Sequence, residues 1–248
     1  VVAAIVVQAR MTSTRLPGKT LMPILGRPML AYQIDRLTQS LRAQLCIATT
    51  WDDADDPIAD LCVQMDVACV RGHPTDLLSR NLAAANFMGA EMIGLGGADD
   101  PLLDAEVFDT CFDRFAQGGA GIVHSRGWPL GLNAHIVSRK GLKDGYLEAT
   151  DDDEREHTLP WFERRPERYP SVEIDEPVGF NRPYRFTVDE AADFEMHRTL
   201  IEYLYPRQPD MPIRDIIEVL DEHPEWAAIN ASIRQYWWAG AQERVAHG

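Results

Sequence analysis

Arg10, Arg15, Lys19 and Arg27 are the only charged residues between positions 1 and 34, in a chain whose formal net charge is −15. The first three lie in Gln8-Ala9-Arg10-Met11-Thr12-Ser13-Thr14-Arg15-Leu16-Pro17-Gly18-Lys19, directly after an apolar run. Guanidinium groups offer forked donors to phosphate oxygens, and a lysine adds a compact point charge. Ser13 and the neighbouring threonines, with nearby backbone N–H groups, can complete such a cradle. This composition suits the grip of a polyanion such as a triphosphate; the plainer alternative is a solvated basic loop. Gly18-Lys19-Thr20 matches the end of a P-loop, but Ser13 stands where that motif needs glycine and Pro17 interrupts it. A Walker-type NTPase is therefore not expected.

Two aspartates offer the complementary charge. Asp99 follows the strand-like run 92–95 through Gly96-Gly97-Ala98, and Asp100-Pro101 stops further pairing. Asp189 ends a second β-type run at 185–188, just before a helical pattern. Mg²⁺ prefers carboxylate, phosphate and water oxygens and commonly takes only one or two protein carboxylates, so Asp99 and Asp189 are the candidate metal ligands. An aspartate before a helix is also a good N-cap, which is the competing reading of Asp189. The histidines form neither H-x-x-x-H nor H-E-x-x-H, and Cys46, Cys62, Cys69 and Cys111 show no C-x-x-C spacing. Zinc is not expected, and the cysteines read as buried thiols of a reducing compartment.

The elements that must position these groups follow a βαβ rhythm. Strand-like runs at 2–7, 45–50, 67–71 and 92–95 alternate with helical patterns near 29–40, 55–65 and 76–88. That predicts an α/β fold with a Rossmann-like, mostly parallel sheet flanked by helices, its ligands gathered at the carboxyl ends of strands. Beyond about residue 120 the pattern shortens, with strand candidates at 134–137 and 185–188 and helices near 191–205, 213–222 and 225–238. We read one domain over 1–248: a nucleotide-binding half to 120, an acceptor and metal half over 121–222, and a C-terminal helix over 223–248. The aromatic tail, Trp226 with Tyr236, Trp237 and Trp238, reads as a packing or subunit-contact helix.

The run Q-A-R-M-T-S-T-R-L-P-G-K resembles the signature of CMP-sugar-forming cytidylyltransferases, and most closely their SpsF-like spore-coat branch, related to the acylneuraminate and 3-deoxy-manno-octulosonate enzymes. The resemblance continues in scattered motifs to about Pro224 and implies the nucleotide-diphospho-sugar transferase (GT-A-like) fold. It implies that Arg10, Arg15 and Lys19 serve the CTP phosphates, with Gln8, Ala9 and Ser13 beside the nucleotide. Val70-Arg71-Gly72-His73-Pro74-Thr75-Asp76-Leu77-Leu78-Ser79-Arg80 is similar to the family's R-G-x-x-x-D-V-L-x-R, which adds Arg71, Asp76 and Arg80; capping by Asp76 and surface pairing by Arg80 are the alternatives. Asp99 matches the metal-binding Asp of Gly-Asp-Cys-Pro or Gly-Asp-Glu-Pro, with Ala98 and Asp100 departing from that pattern. Asp189 matches the metal-binding Asp of V-D-T-P-E-D-F-E, with Ala191 in place of proline. Arg155-Glu156-His157 resembles R-E-H-V-T-P on the acceptor side, and Asn133 lies in Trp128-Pro129-Leu130-Gly131-Leu132-Asn133, similar to Y-P-D-G-L-D. Leu130 and Asn133 replace two aspartates there, which suits an acidic acceptor.

The expected reaction is in-line attack by an acceptor oxygen on the α-phosphorus of CTP with loss of pyrophosphate, Mg²⁺ bridging the oxygens and Arg10, Arg15 and Lys19 countering the departing charge. The acceptor is a small anion: a sugar acid, a sugar or polyol phosphate, or a phosphonate. A glycosyltransferase using a nucleotide-sugar donor and a non-catalytic nucleotide-binding module are the rival readings. Strong negative charge argues against nucleic-acid and anionic-membrane partners. No apolar run of about 18 residues occurs and the N-terminus lacks a signal peptide's basic flank, so a cytoplasmic location is expected. The missing initiator Met is read as trimmed or excised numbering, and a homodimer is expected on the resemblance alone.

Overall fold

β1 (Ala3–Gln8) is buried on both faces, a continuous apolar run of the kind found where helices cover each side of a parallel sheet. The computed structural model describes residues 2–177 and 179–235, and in it Ala3, Ile5 and Val7 enter one apolar core while Ala4 and Val6 enter the other. A two-residue hairpin, β2 (Pro23–Ile24) and β3 (Arg27–Pro28), and α1 (Met29–Leu37) follow. Then come β4 (Gln44–Thr50), α2 (Asp56–Gln64), β5 (Ala68–Gly72), α3 (Leu77–Phe87), β6 (Met92–Gly97) and α4 (Ala105–Ala116). The second half adds β7 (Ile122–Arg126), β8 (His135–Ser138), α5 (Arg139–Glu148), α6 (Asp152–His157), α7 (Leu159–Glu163) and β9 (Ser171–Asp175). It closes with α8 (Ala191–Leu204), α9 (Ile213–Glu222) and the short α10 (Pro224–Ala227).

Seven strands form one sheet in the order β5-β4-β1-β6-β8-β7-β9. β1 pairs in parallel with both β4 and β6, and β7 in parallel with β9, whereas β8 runs antiparallel to β6 and to β7. Six carboxyl ends and the start of β8 therefore share one edge. The chain leaves β1 for β4 and β5 on one side and returns to β6 on the other, so a topological switch point, the usual crevice for a ligand, opens between β1 and β6. The mostly parallel sheet agrees with the sequence reading, and its strands come from both halves of the chain.

Two readings are corrected. Residues 185–188 are not a ladder strand: Arg185 makes one isolated bridge with Leu130, Phe186 N–H donates to Leu130, and Val188 N–H donates to Asp99 O at 2.7 Å. Their backbone partners are loops, so the segment is an extended thread pinned across the sheet edge. The helix expected over 225–238 ends at Ala227, because Asn230 turns inward to bond Arg185 O and Asp193; Tyr236, Trp237 and Trp238 lie outside the described residues. β7, β9, α4, α5, α6 and α7 were not anticipated. Of the free cysteines, Cys46, Cys62 and Cys111 are buried and Cys69 is half-buried. Among the described residues, no helix is long and apolar enough to cross a membrane.

Gly131 lets the 127–134 loop meet the thread. Its φ is +93°, and an added Cβ would stand 2.4 Å from the Phe186 carbonyl carbon and 2.6 Å from Thr187 N. Gly131→Ala is expected to cost about 2 kcal/mol through a strained φ and a backbone clash, measured as a lower urea midpoint.

Candidate active site

The basic loop closes on itself at the end of β1. Gly18 N–H donates to Met11 O, Thr20 Oγ1 donates to Arg10 O, and Met11 N–H donates to the buried Asp55 carboxylate at 2.7 Å. Gly18, at φ +74°, then starts the 3₁₀ turn Lys19–Leu21, which drives Lys19 inward until it is only 8% exposed. Its Nζ donates to Val188 O and lies 3.2 Å from Asp189 Oδ1 and 3.5 Å from Asp99 Oδ2. Asp99 and Asp189 thus converge on one cation although 90 residues separate them in the chain. Arg15 reaches the same Asp189 Oδ1 at 2.9 Å.

Each aspartate is held from behind. Gln33, fully buried on α1, donates to Gly97 O and Asp100 O at 2.8 Å and so fixes the turn carrying Asp99. Asp189 Oδ2 accepts from Arg185 at 2.8 Å, and Arg185 also grips Asp193, which is fully buried. Asp189 does not cap α8. Glu190 is the cap residue, in a reciprocal capping box with Asp193, and that leaves the Asp189 carboxylate to face Lys19. Burial alone would raise the Asp193 carboxyl, but Arg185 and the backbone N–H groups of Asp189 and Glu190 hold it below the ordinary aspartate value. Burial, and then the neighbouring Asp99 charge, push the Asp100 carboxyl well above that value.

A second cationic group stands across the crevice. Arg80, on the first turns of α3, is buried; burial first and the charge of Arg10 next push its guanidinium down to about 10. Its Nε is buried with no hydrogen-bond partner among the described residues. Two guanidinium groups close enough to repel, one with a buried unpartnered donor, suit the binding of an anion.

The crevice measures about 1170 Å³, large enough for a nucleotide and a second small molecule. Of the residues singled out in the sequence, Gln8, Ala9, Arg10, Ser13, Arg15, Lys19, Arg80, Asp99, Asn133, Glu156, His157 and Asp189 line it. Arg71, Asp76 and Arg155 do not. Arg71 binds Thr50 O, Asp52 O and Asp56 at the sheet's outer edge. Asp76 caps α3 by accepting from Ser79 N–H and takes Arg155 at 2.7 Å, while Arg155 also donates to Ala149 O. This pair clamps α3 to α6 and supports the wall from outside. His124, His135, Ser125 and Thr187 line the crevice without having been singled out. Alternation signals the histidines: with Ile122 and Val137 facing the second core, positions 124 and 135 share that face nearer the carboxyl edge.

Among the described residues, no group of three or more His, Cys, Asp or Glu side chains is disposed to hold a metal. Two converging carboxylates with open space beside them nevertheless match the habit of Mg²⁺, which completes its shell with phosphate and water.

A switch-point crevice in a mostly parallel sheet, lined by cations and paired carboxylates, defines a nucleotidyltransferase. The cytidylyltransferase family model matches residues 4–219, and the chain belongs to that family of CTP-using enzymes. It is 28% identical over 229 residues to the spore coat polysaccharide biosynthesis protein SpsF of Bacillus subtilis, covering 90% of this chain and 95% of SpsF. The structure of a cytidylyltransferase from Leptospira borgpetersenii superposes with a TM-score of 0.84 at 27% identity, over 95% of this chain and 99% of that one. CMP:2-keto-3-deoxy-manno-octonic acid synthetase complexed with CTP shares the fold, with a TM-score of 0.61 at 15% identity over 82% of this chain and 99% of its own.

Proposed function

We propose that this cytidylyltransferase is magnesium-dependent and transfers CMP from CTP to a small anionic acceptor, a sugar acid, a sugar or polyol phosphate, or a phosphonate. The observation carrying the proposal is Lys19 Nζ seated between Asp99 and Asp189. Asp99 and Asp189 would hold the cation, whose contribution when bound is to neutralise phosphate charge. Arg10, Arg15 and Lys19 counter the charge that develops on the departing pyrophosphate, and Arg80 faces the nucleotide across the crevice. Gln8, Ala9 and Ser13 frame the nucleotide from the loop. Asn133, Glu156 and His157 face the acceptor, and Leu130 with Asn133 offers it an apolar and an amide surface in place of carboxylates. A homodimer belongs to the same proposal and is tested by sedimentation.

The deciding experiment follows pyrophosphate release with each of four nucleoside triphosphates, Mg²⁺ and an acceptor panel of those three classes, with mass identification of the product. Release with CTP alone among the four, requiring Mg²⁺, is the expected result; equal release with all four, or none with CTP, would overturn the proposal. Asp99→Asn is expected to lower turnover by about 10²-fold and to displace the Mg²⁺ titration. Its thermal midpoint should stay close to wild type because the Asp99 side chain is 39% exposed. A normal Mg²⁺ titration in that variant removes Asp99 from the metal site.

A further inference from the structure

One row of side chains crosses four strands at the carboxyl edge. Leu95 of β6 pairs with His135 of β8, His135 with His124 of β7, and His124 with Glu173 of β9. Directly paired residues face the same side of a sheet, and all four line the crevice. His124 Nδ1 and His135 Nδ1 are 2.7 Å apart, with the rings edge to face at 4.9 Å. A bond between two ring nitrogens holds one proton, so one imidazole donates and the other accepts. With that proton on His135, its Nε2 is a base, and any charge it gains is shared with His124. His124 is 7% exposed and His135 is half-buried, so His135 is the member more open to the crevice.

None of the groups assigned above to the nucleotide or the metal removes a proton. Arg10, Arg15, Lys19 and Arg80 are cations, and Asp99 and Asp189 face Lys19. Resting on the cytidylyltransferase reading, we propose that His135 takes the proton from an acceptor hydroxyl as its oxygen attacks the α-phosphorus, with His124 as the positioning residue behind it. The acceptor O–H bond breaks and its proton goes to His135 Nε2, while the oxygen's electron pair forms the new P–O bond. The bond from the α-phosphorus to the bridging oxygen breaks, and pyrophosphate leaves with that pair. The Nδ1 proton of His135 moves toward His124, and one proton per turnover passes to water. Around the pair, Glu173 on β9 is tied to Arg126 on β7 at 2.8 Å, and Glu156 and His157 on α6, Glu163 on α7, Arg80 on α3 and Asp99 beyond β6 line the same space.

The test uses the full chain with Mg²⁺, CTP and the acceptor panel above. His135→Gln is expected to keep CTP-induced thermal stabilisation, to lose about 10²–10⁴-fold in kcat, and to lose the acid limb of the wild-type kcat/KM profile. Added imidazole should restore part of the activity of His135→Ala. Nitrogen NMR of wild-type imidazoles should find the Nδ1-protonated tautomer at His135, a readout that does not depend on any variant folding. A wild-type rate and acid limb in His135→Gln, the Nε2-protonated tautomer, or a product linked through a phosphate or phosphonate oxygen would overturn the base assignment while leaving the transferase reading intact. Wild-type protein that releases no pyrophosphate from CTP would overturn both.

Discussion

Lys19→Met should cut pyrophosphate release from CTP by about 10²–10³-fold while leaving a folded protein, the scale associated with removing one preorganised donor at developing charge. Met keeps the length and apolar stem of the side chain, so packing beneath the loop is retained while the charge and the donated hydrogen bond are lost. Asp189 would still be held by Arg15 and Arg185, which limits the cost of leaving a buried carboxylate without its third cation. Lys19 also donates to Val188 O, so the variant loosens the thread that carries Asp189. Both consequences act on turnover. Steady-state kinetics with CTP titration, beside a thermal melt, separates them from unfolding: a falling kcat with a retained melt is the expected pattern, and unchanged kcat would remove Lys19 from the reaction.

The largest effect on stability is expected from Arg185→Met. Arg185 is 7% exposed and neutralises Asp189 and Asp193 together; its loss leaves the buried Asp193 without this cation, while Asp189 keeps Lys19 and Arg15. Breaking a buried pair by removing one partner costs about 3–5 kcal/mol. The pH dependence follows from Asp193, whose folded carboxyl lies below its ordinary value of 3.8. Its ionised form favours the folded state, so the stabilisation is fully present above 3.8 and is lost as pH falls through the lower folded value. Urea unfolding at neutral pH should show the full deficit of the variant, and the gap to wild type should narrow in acid as Asp193 takes a proton. A constant gap down to strongly acidic pH would mean that Asp193 is not the group Arg185 serves.

The first half of the chain was legible because its strands are covered on both faces and read as unbroken apolar runs, and its glycines and aspartates fall where turns and caps require them. The basic loop was legible for an electrostatic reason: four cations without an acid stand out in an acidic chain. The second half hid its elements. β9, Ser-Val-Glu-Ile-Asp, is an edge strand only half covered, so its apolar alternation is thin. α5 contains Gly141 and Gly145, which a sequence reader takes as breakers. At Gly145 the missing side chain admits Leu78 and Trp161, which a Cβ would meet at 2.8 and 3.0 Å, so it is a packing position between helices. Arg71, Asp76 and Arg155 show the converse. Their motifs matched, but spacing along a chain does not say whether a charged head turns into a crevice or seals its outer wall. Alternation alone places His124 and His135 on one face, but their contact depends on the register of the β7–β8 hairpin, which spacing along the chain does not give.

The single reversed strand, β8, has a consequence for how such enzymes diversify. The loop entering β8 comes from β7, which flanks β8 on the side away from β6, and the basic loop after β1 does not pass through that hairpin. Within residues 127–134, Leu130 and Gly131 are tied to the thread that carries Asp189, so substitutions at Asn133 are the ones expected to reshape the crevice wall without moving that carboxylate.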